Sequence, residues 1–272
     1  GFWYYVFKLE PACRLVVTGP SFFEPSAATS RAAAGRHPVL SVQGGVFSIQ
    51  EVLPMRMVVT SDTHFIFSPD KIPDGDVFVH CGDLMYTGYP SEWNGVVASL
   101  AALPHKIKLL VPGNHDFHIQ NYNGIARAEL RRRANVMLLD EHRPEIEIDG
   151  IRFLACPFME GLPGWAYNRS QEEIEEWLNK RVAPDIMLTH SPIYNVLDAC
   201  NPEHAVHYKQ EHVGSIGMHR WYQQQHRPPK HWFHGHIHES YGSLQEGECW
   251  FHNVAMCDRQ YKQVNKPYVL EI

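Results

Sequence analysis

A chain of 272 residues with an ordinary hydrophobic content can bury a substantial core, as one large domain or two small ones. Its 30 acidic and 24 basic side chains leave a net charge of -6 with the 18 histidines neutral, which excludes the basic excess of a general nucleic-acid-binding surface. No apolar run has the length that spans a bilayer, and the opening GFWYYVFKLEPACRLVV lacks the basic start of a secretory leader.

The six cysteines (Cys13, Cys81, Cys156, Cys200, Cys249, Cys257) include no CxxC pair. A zinc ribbon and a disulfide framework are therefore not expected, and the reducing cytoplasm is the expected compartment. Residues 1–54 read as an N-terminal extension outside the catalytic unit. Their stretch GPSFFEPSAATSRAAAGRHP is rich in Pro, Gly, Ser and Ala without period, as linkers are. From residue 55 to 272 the pattern is that of a folded domain.

RMVVTS (56–61) and DVFVHCGD (76–83) are short buried-type strands. SEWNGVVASLAAL follows as an amphipathic helix opened by Ser91, and KIKLLVPGNHD as a strand running into a loop. GIARAELRRRA reads as a helix whose Arg131, Arg132 and Arg133 form a solvated face. EIEIDGIRFLACP sets two apolar runs around Asp149-Gly150, the strongest hairpin signal in the chain. SQEEIEEWLNKRV carries a Ser170–Glu173 capping box and helical spacing of Ile174, Trp177 and Leu178. DIMLTH is again a strand, and SYGSLQEGECWFHNVAMC and PYVLEI read mostly as strand. Strands alternate with helices early and cluster late, which predicts a mixed α/β sandwich.

The polar residues gather at strand ends: Asp62 and His64 after VVTS, Asp83 after VHCG, and Asn114, His115 and Asp116 after LLVPG. His190 follows IMLT, and His236 and His238 follow WFHG. Ligands of α/β sheets bind outside the carboxyl ends of strands, where the loops converge. One such residue is commonly a turn former; five strands each delivering one make a site. The stretch HWFHGHIHESYG raises a narrower question, because His234, His236 and His238 alternate and would share one face of an extended strand.

The ordered blocks Asp62-x-His64, Gly82-Asp83, Gly113-Asn114-His115-Asp116, Thr189-His190 and Gly235-His236-x-His238 resemble the signature of the calcineurin-like metallophosphoesterases. The likeness runs from about Arg56 to Ile272. SDTH, PSE, LPHKIKLLVPGNH, IMLTHSP and RPPKHWFHGHIHESYG are similar to the metallophosphoesterase-domain-containing subgroup. The resemblance implies a four-layer αββα sandwich of two mixed β-sheets flanked by helices. It also implies two divalent cations (Mn, Fe, Zn or Co, which mixed oxygen and imidazole donors suit) sharing the Asp83 carboxylate. Asp62, His64 and His238 would complete one cation's ligands, and Asn114, His190 and His236 the other's. Cations about 3.5–4 Å apart repel, so an anionic ligand between them is required, and such a site activates a bridging water as hydroxide.

His115 matches the family position that donates a proton to the leaving oxygen or stabilises the transition state, and Asp116 is read as the carboxylate that orients and charges it. His80, His231 and His234 inherit no such role and read as structural. Members of the subgroup can carry Gly where this chain has His236, so the full GHIH implies a complete two-metal site. Protein serine/threonine phosphatases carry Arg beside their Gly-Asp and Gly-Asn-His motifs. GDLMYTG and VPGNHDFH have none, which favours a phosphodiester monoanion over a monoester dianion.

The expected activity is thus a phosphodiesterase acting on a small molecule, a cyclic nucleotide among the candidates, with neither membrane nor nucleic-acid partner. A nuclease is the alternative that the charge disfavours, and a non-catalytic scaffold the one that the full ligand set disfavours. CPFMEGLPGWAYNRS places Phe158, Trp165 and Tyr167 in a Gly/Pro-rich loop, where they pin the loop by packing or stack on a base.

Overall fold

The computed structural model describes residues 37–43, 46–52, 54–200 and 211–272. Most of the stretch read as linker lies outside these residues. Strands β1 (His37–Gln43) and β2 (Val46–Val52) pair as an antiparallel hairpin within the segment read as an extension. The alternating VLSVQ and VFSIQ around Gly44-Gly45 are the signal for it.

In the first large sheet β3 (Arg56–Thr60), β4 (Val77–Cys81), β5 (Ile107–Val111) and β6 (Val136–Leu138) run parallel, with β15 (Tyr268–Glu271) antiparallel on β3. The second holds β8 (Ile151–Cys156), β11 (Ile186–Thr189), β12 (His231–His234) and β14 (Cys249–Asn253) in parallel. Its edges, β7 (Glu145–Ile148) and β13 (Gly242–Glu246), are antiparallel. A minor parallel pair joins β9 (Met159–Glu160) to β10 (Asn168–Arg169).

Side-chain alternation along the strands builds the layers. Met57, Val59, Val79, Leu109 and Val111 face Phe153, Ala155, Ile186, Leu188 and Phe233 of the opposite sheet. The intervening Val58, Phe78 and Leu110 face Trp93, Val96, Val97 and Leu100 of α1 (Pro90–Ala101). Behind the second sheet, Leu154, Met187, Trp232 and Phe251 pack on Ile174 and Leu178 of α4 (Gln171–Asn179) and on Met218 and Trp221 of α5 (Ile216–Gln223). This is the expected αββα order. Each large apolar side chain so buried contributes about 1.5–3 kcal/mol against the entropy of ordering.

The hairpin turn is as read, with Asp149 and Gly150 at φ of 50° and 79°, both left-handed as a type I′ turn requires. The capping box of α4 is reciprocal: Ser170 Oγ accepts from Glu173 N at 3.2 Å, and Glu173 Oε2 from Ser170 N at 2.8 Å. Ser91 does not open α1. Pro90 does, because its fixed φ suits a first helical position and it lacks the N–H that would be left unpaired there. Two helices carried weak signals: α2 (Phe117–Asn121), a single turn, and α5, marked only by its cap Ser215. Helix α3 (Asn123–Glu129) runs on into a π-helical turn, Leu130–Ala134, where Arg131 donates to Asn135 and Arg133 to Asn94 as a solvated face. Among the described residues no helix is long and apolar enough to cross a membrane.

Candidate metal centre

The carboxyl ends of β3, β4 and β5 from one sheet and of β11 and β12 from the other open onto a common rim. The rims are sewn together at Ser61, whose N–H donates to Val254 O at 3.1 Å and whose carbonyl accepts from Met256 N at 2.9 Å. Past β3, β4 and β12 the chain breaks sharply. Asp62 (φ 53°), His64 (43°), Asp83 (55°) and His236 (69°) all take the left-handed conformation, at a cost of roughly 1–3 kcal/mol apiece. Asp62 N donates to Gly82 O (2.9 Å), His64 N to Asp83 O (3.0 Å), and His236 N to both oxygens of Asp62 (3.1 and 2.9 Å). These bonds aim the four side chains inward.

Two overlapping groups result. Asp62 Oδ1 lies 3.3 Å from His238 Nε2 and 3.8 Å from His64 Nε2. Asp83 Oδ2 lies 3.3 Å from His190 Nε2 and 3.8 Å from both His64 Nε2 and His115 Nε2. Asn114 Oδ1 is 3.1 Å from His190 Nε2. His236 has a ring nitrogen within 4.8 Å of Asp83 and His190 ligand atoms. Asp83 therefore stands between the Asp62–His64–His238 group and the His190–His236–Asn114 side.

Ring orientation follows from carbonyls outside the site. Nδ1 of His238 lies 2.8 Å from Asp258 O, Nδ1 of His190 2.8 Å from Cys81 O, and Nδ1 of His115 2.6 Å from Tyr86 O. A carbonyl only accepts, so in each case Nδ1 carries the proton and Nε2 faces the site. His64 Nε2 and His238 Nε2 approach to 3.1 Å, which repels two lone pairs unless a cation or proton lies between them. Burial pushes His64 down to about 4 and His236 to about 3, and so keeps these rings neutral donors. Burial opposes the His190 cation too, but the Asp83 and Asp62 carboxylates outweigh it and raise His190 to about 9. Burial likewise opposes ionisation of Asp62 and Asp83, yet the surrounding imidazoles, His190 foremost, hold both carboxyls well below the usual range. Among the described residues no Lys or Arg pairs with either carboxylate. Two buried carboxylates amid imidazole nitrogens, one of which holds a proton for want of another cation, are a set that divalent cations satisfy in that proton's place.

A model of the calcineurin-like phosphoesterases matches residues 55–240. The chain belongs to the calcineurin-like phosphoesterase family. It is 29% identical over 237 residues to metallophosphoesterase domain-containing protein 1 of Homo sapiens, covering 80% of this chain and 71% of that protein. A UPF0046 protein of Caenorhabditis elegans is 27% identical over 242 residues, covering 80% of this chain and 81% of the relative. One solved structure superposes with a TM-score of 0.59 at 13% identity, over 80% of this chain and 99% of its own, and shows the same fold. Family membership and the clustered carboxylates and imidazoles together support a metal-dependent phosphoesterase.

In this calcineurin-like phosphoesterase Asp116 does not orient His115. It is fully buried, with Oδ2 accepting from Gly113 N (2.8 Å), Asp83 N (3.0 Å) and Leu84 N (3.4 Å), and Oδ1 from Met85 N (3.0 Å). It thereby ties the Gly82-Asp83 and Gly113-Asn114 loops together, and the Tyr86 carbonyl takes the place expected of it. Burial and then the Asp83 charge push the Asp116 carboxyl up to about 6, while the Gly113 and Met85 N–H groups pull the other way.

The alternation His234-x-His236-x-His238 is broken by the fold. β12 ends at His234, which stays in the interior, while left-handed His236 and the turn at His238 swing those rings into the site. His80 meets Thr63 Oγ1 at 2.9 Å and His231 meets His252 Nε2 at 3.1 Å, both away from the cluster. Tyr167 and Phe158 are buried packing residues, whereas the Trp165 ring lies 4.7 Å from His115. Tyr86 and Tyr261, each within 6.3 Å of the His64 ring, had no signal in the sequence reading, because loop aromatics follow no period.

Gly235, the residue after β12, packs directly against Asp62. A Cβ there would fall 2.0 Å from Asp62 Oδ2 and 2.1 Å from Ser61 Oγ. Gly235→Ala is expected to displace the Asp62 carboxylate and destabilise the fold by roughly 1–3 kcal/mol, as overpacking does. Thermal melts with and without Mn²⁺ check it: the melting temperature should drop and the metal-dependent increment should vanish. An unchanged increment would refute the close-packing account.

Proposed function

We propose that this phosphoesterase hydrolyses a small phosphodiester with two divalent cations, one held by Asp62, His64, Asp83 and His238, the other by Asp83, Asn114, His190 and His236. The observation that carries the reading is the Asp83 carboxylate between the two donor groups, with Oδ2 within 3.8 Å of His64 and His190 alike. Bound there, the cations would supply Lewis acidity toward the phosphoryl oxygens and lower the pKa of water. The left-handed Asp62, His64, Asp83 and His236 present preformed donors, so little is reorganised on loading. No guanidinium stands among these donors to grip a dianion, which supports a diester monoanion as substrate. Among the described residues five cysteines are free and buried, which supports the reading of a reducing, cytoplasmic setting. Manganese is the first metal to test.

His115 supplies the chain's own proton chemistry. The Tyr86 carbonyl fixes its Nδ1–H, so Nε2 is the atom that can hold a proton at the site and release it to a leaving oxygen. His115→Ala should keep both metals and lower the rate roughly 10²–10⁴-fold on an alkoxide leaving group. The loss should be much smaller on bis-p-nitrophenyl phosphate, whose nitrophenolate departs without a proton. Rates on the two esters, with metal content by mass spectrometry, check this. Equal losses would remove the acid role, and loss of metal would place His115 among the ligands, as its proximity to His64 and Asp83 allows. Hydrolysis of bis-p-nitrophenyl phosphate in preference to p-nitrophenyl phosphate, dependent on Mn²⁺, tests the diester reading itself. Turnover of neither ester by metal-loaded protein would sink it.

A further inference from the structure

The wall beside His64 and His115 is aromatic. The Tyr261 ring lies edge-on to His64 (centroids 4.7 Å, 90°), to Tyr86 (5.2 Å, 84°) and to His238 (5.6 Å, 88°). Tyr86 lies 6.5 Å from His115, and Trp165 approaches the same imidazole at 4.7 Å.

Packing of the core does not account for these rings. Tyr86 is 46% exposed, and Tyr261 is only partly covered. Tyr261 also holds a φ of 57°, which a bulky aromatic residue seldom adopts. The loop enforces it: Tyr261 N donates to Asp258 O at 2.9 Å, and Asp258 Oδ1 accepts from Gln260 N and Lys262 N, both at 2.9 Å. The carbonyl of the same Asp258 fixes His238 Nδ1, so one turn both orients a donor of the centre and places a ring over it. This turn lies past residue 240, where the family match ends. Strained residues that the surroundings hold in place concentrate at ligand clamps.

We infer that Tyr86 and Tyr261 form a subsite for a flat aromatic arm of the phosphodiester, an aryl group or a nucleobase, lying against their rings while the phosphoryl group sits at the cations. The inference rests on the proposed phosphodiesterase reading. Ring stacking of this kind is tolerant of the base's identity and strengthens binding by about tenfold for one stacked ring.

The probes are phenylphosphonate and methylphosphonate, which share a non-hydrolysable phosphonate, differ in the ring, and are presented in mildly acidic buffer as monoanions like the diester. Binding of each to Mn²⁺-loaded protein is measured by calorimetry, with metal content followed by mass spectrometry. The parent should bind phenylphosphonate about tenfold more tightly. Tyr86→Leu and Tyr261→Leu should each shrink that ratio, and the double variant should bring it near one, with methylphosphonate affinity and metal content unchanged. Tyr86→Phe and Tyr261→Phe, which keep the faces and cannot fail through lost bulk, should preserve the ratio. A ratio near one in the parent, a ratio retained in the double leucine variant, or its loss in the phenylalanine variants would each overturn the subsite. Binding of neither phosphonate would instead overturn the phosphoester reading beneath it.

Discussion

Asp83→Asn is expected to abolish phosphodiester hydrolysis and to empty both metal positions together. Asp83 Oδ2 faces His190 at 3.3 Å and His64 and His115 at 3.8 Å, while Oδ1 accepts from His115 N at 2.9 Å. The amide conserves shape but removes the negative charge assigned to both cations, and two cations at such spacing repel without it. Metal affinity should fall by more than the roughly 10–100-fold typical of losing an outer-sphere partner. Mass spectrometry of the purified variant measures the stoichiometry, and a melt in chelator separates metal loss from unfolding. Two tightly held metals in Asp83→Asn would disprove the shared-carboxylate assignment.

Asp116 is expected to show the largest stability effect in the site. Its carboxylate accepts four backbone N–H groups in a fully buried pocket. In Asp116→Asn an amide oxygen in the Oδ2 position keeps three of them, and the NH₂ then faces the Met85 donor. An unmade buried bond of this kind costs about 1–3 kcal/mol. Asp116→Ala strands all four donors and should cost roughly 4 kcal/mol or more, the range reserved for broken buried networks. At about 2–4 °C per kcal/mol for a domain of this size, calorimetric melts resolve the two variants from the parent and from each other. Both should also bind metal more weakly, because the loops released carry Asp83 and Asn114. If Asp116 served only to charge His115, the melting temperature would stay and the pH profile of turnover alone would move.

The sequence by itself determined a mixed α/β sandwich and the strand-end origin of the candidate ligands, and the αββα order came with the family resemblance. Continuous apolar runs in RMVVTS, DVFVHCGD and IMLTH mark strands buried on both faces, and the chain can end such strands in Asp62, Asp83 and His190 only where loops converge. Local chemistry also sufficed for the Asp149-Gly150 turn and the Ser170–Glu173 box, since each is complete within four residues. Partnerships between loops distant in sequence were decided by the tertiary structure. Adjacency suggested that Asp116 serves His115, but the side chain following a ring in sequence turns away once the loop enters α2, and it finds the N–H groups of the Gly82–Met85 turn instead. Alternation would put His234, His236 and His238 on one face only while the strand lasts; β12 ends at His234, and a left-handed residue at 236 separates the interior ring from the two read as ligands, which enter the site. Tyr261 sits 197 residues from His64 and meets it only because β14 and β3 are joined at Ser61, a contact between the two sheets that no local pattern encodes.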